Sequence, residues 1–223
     1  MAKQPTSTRR RKSDGGKTAA DPRETVFAAA MKLAALQGWT DTTMADIADE
    51  ASIGLDELHR HFHSKPALLA AFVEHVDGVV LAGTDPEIGD EPVRDRLFDI
   101  YMRRFDALAP YKDGLRAVAR ELPRDPAVFA CFLSGPYRRS LEWTLEAARI
   151  GNWGPLQPLQ VKGLGLIQAA VTRTWLGDDS EDLGKTMAAL DKALRRADSI
   201  VASFPLGGSR RRGEQAEADA ETA

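Results

Sequence analysis

The feature that most constrains this chain is the interval at which its apolar residues recur: from residue 22 to residue 201 they return every three or four positions, in blocks punctuated by glycine, proline and capping hydroxyls. That is the period of an α-helix. Pro22 suits a first helical turn with Asp21 as its cap; Val26, Ala30, Leu33 and Ala34 follow at helical spacing, and Gly38 ends the run. Thr43 caps a short second helix whose Met44, Ile47, Ala48 and Ala51 point to one face, and a break falls near Ser52. A third short helix carries Leu55, Leu58, His59 and Phe62. Ser64 caps a fourth, starting at Lys65, with Leu68, Leu69, Phe72, Val76 and Val79 as its apolar face.

Residues 82–92 combine Gly83, Pro86, Gly89 and Pro92 with acids and read as a connector. Beyond it Val93, Leu97, Ile100 and Leu108 mark a longer helix, and Leu115, Val118 and Ala119 a shorter one beginning near Lys112. Pro123 to Pro126 break the chain; a helix from about Ala127 to Ile150 is expected next, interrupted at Gly135 and Pro136 because proline cannot donate the helical hydrogen bond. Gly151 to Pro158 reads as a loop. Leu164, Ile167, Val171 and Trp175, then Met187, Leu190, Leu194, Ala197 and Val201, predict two final helices. The tail after Pro205 and the basic first 21 residues hold too little apolar surface to offset the entropy of ordering.

Composition agrees with an all-α globular chain: 43% of the 223 residues are hydrophobic and only three are tyrosine, so little or no strand is expected. The net charge of −3 gives no general electrostatic case for nucleic acid, although Lys3, Arg9, Arg10, Arg11, Lys12 and Lys17 crowd the amino terminus. A single cysteine, Cys131, excludes an intrachain disulfide; flanked by Ala130 and Phe132 it is expected to be buried and inert, and a cytoplasmic location fits best. No apolar run approaches the roughly 20 residues of a membrane span. No phosphate loop, HExxH site or nucleophile elbow is present, so neither an enzyme nor a cofactor is expected.

Two short helices at 44–51 and 55–62, joined by a tight turn and backed by an earlier helix, have the dimensions of a helix-turn-helix. The segment TTMADIADEASIGLDELHRHFHSKPALLAAF, Thr42 to Phe72, resembles the TetR family of transcriptional regulators, with Thr43, Ile47, Ala48, Ile53, Phe62, Ser64, Lys65, Leu68 and Leu69 in the matching places. The resemblance covers residues 23–80. It implies a TetR-like fold: an amino-terminal three-helix DNA-binding domain at 22–80, a helical ligand-binding and dimerisation domain at 92–205, double-stranded operator DNA as a partner and a homodimer built through the last two helices. It also suggests a ligand-responsive repressor with an apolar small-molecule effector.

The expected DNA-contacting residues are Thr43, Leu55, Asp56, Glu57, His59, Arg60, His61 and Lys65. Thr43 is placed to hold a phosphate or simply to cap, Lys65 to neutralise a phosphate, and His59, where the family usually has Tyr, to bond the DNA backbone beside Arg60 and His61. His59, His61 and His63 lie two residues apart, a poor spacing for a metal on a helix. Two departures stand out. Ser52 occupies a turn position where the family often has Gly, so a left-handed backbone there carries a steric cost, and Asp56 with Glu57 places acids at the start of the recognition helix, where capping is the expected role.

In the carboxy-terminal half, Thr172 to Asp198 resembles a segment of the coenzyme Q biosynthesis accessory proteins, which share the TetR fold and bind lipids; a lipid- or quinone-binding accessory protein is therefore the alternative function. The stripe Leu164, Ile167, Val171, Leu190, Leu194 and Val201 fits either a four-helix dimer bundle or the interior of one subunit, and Gly163 and Gly165 suit close helix approach. Tyr101, Phe105, Phe132, Trp143 and Trp175 are candidate ligand-binding residues, with Trp153 as a possible lid. Arg103, Arg104 and Arg116 read as solvated helix faces or as partners for an anionic head group.

Overall fold

The computed structural model describes residues 22–84, 90–151 and 154–203. The expectations for the basic arm at 1–21, the Asp21 cap, Pro86, Gly89, the Trp153 lid, the tail and the side chain of Val201 fall outside the described residues. Among the described residues the chain is helical and free of strands. Its α-helices are α1 (Pro22–Gln37), α2 (Met44–Glu50), α3 (Leu55–His61), α4 (Lys65–Ala82), α5 (Val93–Leu108), α6 (Lys112–Glu121), α7 (Pro126–Phe132), α8 (Arg138–Ala147), α9 (Gln157–Leu176) and α10 (Gly184–Ser203).

Helix α1 ends at Gly38, whose φ of 93° is a left-handed turn that glycine adopts without a Cβ penalty. Its inner face, with Val26, Phe27, Ala30 and Ala34, closes over Ile47 of α2, Leu58 of α3, Phe62, and Leu68 and Phe72 of α4. Phe27 lies 5.6 Å from both Phe62 and Phe72, ring centroid to ring centroid, so one aromatic side chain ties α1, the end of α3 and α4 together. On α4 the buried stripe ends on Val80; Val79, expected inside, is 48% exposed. One turn spans 3.6 residues, and extrapolating the stripe by threes from Val76 lands one position short of the face that stays inside.

In the second half, the expected interruption at Gly135 and Pro136 takes the form of a π-turn, Leu133–Tyr137, joining α7 to α8. Widening the turn lets the chain pass the missing proline N–H without a full break. The loop expected to run through Pro158 stops sooner, since α9 begins at Gln157 with the proline in its first turn, where the absent N–H has no helical partner to lose. Tyr101, Phe105 and Trp175 are almost wholly buried, and the three rings stack with centroids 6.4 Å and 5.3 Å apart. They pack on one another as core. Cys131, expected to be buried, is exposed on α7, a helix with no buried residue.

The two functional regions share one continuous buried cluster. Helix α6 lies directly on α1: a Cβ added to Gly114 would stand 2.3 Å from the Met31 carbonyl oxygen, so only glycine allows this approach. Phe72 of α4 meets Tyr111, just before α6, edge to face at 5.1 Å. At this same end of α6, Lys112 lies over the Trp175 ring at 5.2 Å, and one turn on the Arg116 Nε donates to the Leu176 carbonyl at 2.6 Å, locking α6 to the end of α9.

Of the two readings left open for the last two helices, burial within one chain favours the subunit interior. Leu164, Val171, Leu190 and Leu194 are 5%, 1%, 0% and 2% exposed within a single chain, so this stripe joins α9 to α10 inside the subunit. Gly165 faces inward as well, with an added Cβ 3.0 Å from Leu141 of α8, whereas Gly163 opens outward beside Leu159 and Leu166, which are 60% and 74% exposed. Helical periodicity predicts a stripe but not which of two apolar stripes on one helix meets its own subunit.

Candidate nucleic-acid interface

The turn between α2 and α3 is built from local chemistry. Thr43 and Asp46 form a capping box: the Asp46 N–H donates to the threonine Oγ1 at 3.1 Å and the Thr43 N–H donates to the Asp46 carboxylate at 2.8 Å. That backbone N–H holds the Asp46 carboxyl below its ordinary range. Thr43 is exposed, and its oxygen accepts from the Asp46 N–H. At the other end of α2 the Ser52 N–H donates to the Asp49 carbonyl at 3.1 Å and the Ile53 N–H to the Ala48 carbonyl at 3.0 Å, the paired bonds of a Schellman ending. Ser52 takes the left-handed conformation this requires, at φ 55°. Ser52→Gly is therefore expected to stabilise the protein by about 0.5 kcal/mol, the relief of αL strain less the added entropy of an unfolded glycine. A urea midpoint that fell instead would show that the serine is unstrained.

Helix α3 starts after Gly54, which provides no side-chain cap; Asp56 and Glu57, expected to cap, sit in its first turn. There they face the positive end of the helix dipole, and Asp56 approaches Arg60 at 3.7 Å. Leu58 is fully buried and anchors the helix, while Leu55, Asp56, His59, Arg60 and His61 are exposed on its outer side and Glu57 is half-buried. The His59 and His63 rings stand 5.3 Å apart, edge to face. Among the described residues no group of three or more His, Cys, Asp or Glu side chains could hold a metal ion.

Lys65 has a role that the sequence did not reveal. Its ammonium group donates to the carbonyls of Trp39, Thr40 and Thr42 at 2.7, 3.1 and 2.8 Å and lies 5.1 Å from the Trp39 ring. All three N–H donors of a lysine are thus committed to the α1–α2 loop. Burial lowers the Lys65 pKa, with the charges of Asp41 and Glu121 opposing that shift. The same loop is held from the second region: the Thr40 N–H donates to the buried Glu121 of α6 at 2.9 Å, and this bond holds the Glu121 carboxyl below its ordinary range. Glu121 and Trp39 were invisible as site residues in the sequence, because Thr40, the loop partner of Glu121, lies 81 positions away. Lys65→Met, which keeps the stem and removes the donors, is expected to cost about 2 kcal/mol by leaving part-buried carbonyls without partners. Unchanged thermal stability would make the lysine dispensable to the loop.

Residues 26–72 match the family model described as bacterial regulatory proteins, tetR family. Over this amino-terminal segment the chain is similar to the TetR family. Similar solved structures extend the TetR fold over most of the chain. A TetR transcriptional regulator from Nitrosomonas europaea ATCC 19718 superimposes with a TM-score of 0.63 at 24% identity, covering 80% of this chain and 99% of that one. The fatty acid degradation regulator FadR from Bacillus halodurans gives 0.57 at 16% identity, covering 87% and 99%, and a TetR transcriptional regulator from Rhodococcus sp. RHA1 gives 0.54 at 19%, covering 78% and 94%. No curated protein sequence matches the chain. In the matched segment α2 and α3 form a helix-turn-helix, the arrangement found in DNA-binding domains.

The remaining candidates scatter across the carboxy-terminal half of the TetR fold. Trp143 is half-exposed on α8, Phe132 is partly buried on α7 with its ring 6.1 Å from Tyr137, and neither joins the stack formed by Tyr101, Phe105 and Trp175. The arginines divide as well. Arg116 is engaged with Asp113, Asp179 and the Leu176 carbonyl, whereas Arg104, one of the supposedly solvated positions, is 5% exposed and paired with Asp77 of α4 at 2.7 Å. Among the described residues no helix is long and apolar enough to cross a membrane.

Proposed function

We propose that the protein is a homodimeric, ligand-responsive repressor of the TetR type. The observation that carries this reading is the exposed outer side of α3: Leu55, Asp56, His59, Arg60 and His61 project from a helix pinned by the buried Leu58 and Phe62, a rigid arrangement for entering a major groove. Leu55, Asp56 and Glu57 are assigned to the groove, and Asp56 is suited to accept from cytosine N4. Thr43, His59, Arg60 and His61 are assigned to the sugar-phosphate backbone, with Lys65 shaping the loop that presents Thr43. A single unit reads only a half-site, so two copies are required to match a palindromic operator. The outward faces of α9 and α10, with Leu159, Leu166 and Ile200 exposed, are assigned to that dimer.

Ligand response requires a path between the halves. The Gly114–Met31 approach, the Phe72–Tyr111 contact and the Glu121–Thr40 hydrogen bond supply one, since any shift of α6 or α4 is felt by the loop that positions α2. A mobility-shift titration of the full chain on its own upstream DNA tests the reading. Binding should weaken steeply with salt, and Arg60→Ala should lower affinity at each salt concentration. Absence of any salt-sensitive binding would instead favour the lipid-binding accessory function.

A further inference from the structure

Three of the chain's four histidines, His59, His61 and His63, fall between residues 59 and 63 at the outer end of the helix-turn-helix. All three are exposed, and the His59 and His63 rings stand 5.3 Å apart. An imidazole is the side chain that changes charge between about pH 5 and pH 8. The fixed charges around these rings do not favour a phosphate. Residues 55–63 hold two carboxylates, Asp56 and Glu57, against one permanent cation, Arg60, whose guanidinium is drawn to Asp56 at 3.7 Å. With neutral imidazoles the stretch carries an excess of one negative charge; with three imidazolium rings it carries an excess of two positive charges. Neighbouring elements leave that balance in place. On α2, Asp46 is held in its capping box, Asp49 is exposed and Glu50 is paired with Lys32 of α1. Also on α1, Arg23 lies 5.7 Å from the Phe62 ring and Glu24 acts on Tyr111. Lys65 of α4 is committed to the loop carbonyls, with Asp41 and Glu121 beside it. Among the described residues none of these carboxylates forms an ion pair with a histidine.

We propose that the outer face of α3 is a proton-gated DNA contact: protonation of His59, His61 and His63 reverses the sign of its charge, so that the operator is held in mildly acidic conditions and released as the medium turns alkaline. This adds a mode of regulation to the operator-binding reading and rests on it. A neutral side chain at position 59 would hydrogen-bond a phosphate equally at any pH, whereas an imidazole ties the attraction to the supply of protons. The ring pair sharpens the response. Two imidazolium charges 5.3 Å apart repel, so in the free protein the pair takes one proton readily and resists the second. A phosphate set beside the pair removes that resistance, and binding draws the second proton in. Since the DNA-bound form then holds more protons than the free form, affinity rises as pH falls and is lost as pH rises.

Mobility-shift titrations of the full chain on its own upstream DNA, at about pH 6 and about pH 8, test the gate. Salt is held fixed, and a chelator is present so that no metal ion acts through the histidines. Affinity should be about 30-fold higher at the lower pH, since one linked proton is worth about tenfold per pH unit. The triple variant His59→Asn, His61→Asn, His63→Asn should reduce that ratio to about threefold or less. His75→Asn alters the fourth histidine, whose ring packs 5.3 Å from Phe27 between α4 and α1, and should keep the full ratio. His59→Lys, with its permanent charge, should bind about tenfold tighter than the wild type at the higher pH. If the triple variant fails to fold, His59→Lys decides, and affinity no greater than that of the wild type overturns the proposal. Equal wild-type affinity at the two pH values also overturns it while leaving the operator reading intact, as does a ratio undiminished in the triple variant or abolished in His75→Asn. Absence of binding at both pH values removes the operator reading, and the gate falls with it.

Discussion

Leu166→Glu is expected to leave the fold intact, convert the proposed dimer to monomers at micromolar concentration and lower operator affinity by about 100-fold, the effect of losing a central apolar anchor and placing two like charges across the proposed twofold axis. One exposed leucine means little by itself, since monomers tolerate many. Leu166 differs because Leu159 lies two turns earlier on the same outward side of α9, Gly163 between them meets nothing within 4 Å, and Ile200 is exposed on the neighbouring α10. Leu36→Glu is the control: that residue is 73% exposed, against 74% for Leu166, but lies on α1 away from the proposed interface. Sedimentation equilibrium should show a monomer for the first variant and a dimer for the second. Two dimers would remove α9 from the interface, and two monomers would make the readout one of general surface charge.

Gly114→Ala is expected to cost about 3 kcal/mol, the upper part of the overpacking range, because the methyl group meets main chain and not a side chain that can turn aside. Its Cβ would stand 2.3 Å from the Met31 oxygen and 2.7 Å from the Met31 Cα, so α1 and α6 must separate. The consequence reaches further than stability. Separation pulls Glu121 from Thr40, loosens the loop before α2 and should weaken operator binding even in the fraction that remains folded. Gly78→Ala, with nothing within 4 Å of its added Cβ, is the helix-glycine control and should be neutral or slightly stabilising. Equal midpoints in chemical denaturation for the two variants would mean that α1 and α6 are free to part.

Residues close in sequence were legible and residues far apart were not. The Thr43 cap, the left-handed Ser52 and the Ser64 cap each depend on partners within about four positions, so their chemistry could be read along the chain. Lys65 was legible as a family position but not in its function. Nothing in the sequence near it shows that the carbonyls of Trp39, Thr40 and Thr42 converge 23 to 26 positions earlier to take all its donors. Arg104 was misread for the same reason: beside Arg103 on a helix rich in charge it resembles a solvated residue, and only packing α4 and α8 around it buries the group with Asp77.

The order of short-range patterns therefore determined that this chain is helical, where its helices begin and end, and that two of them form a helix-turn-helix, because capping, φ preference and helical period act within a few residues. Tertiary structure alone decided which apolar stripe of α9 is interior, which helix touches the α1–α2 loop, and which arginine is withdrawn from water. Those outcomes depend on helices meeting face to face across long stretches of chain, where burial is shared between partners that no local interval in the sequence relates.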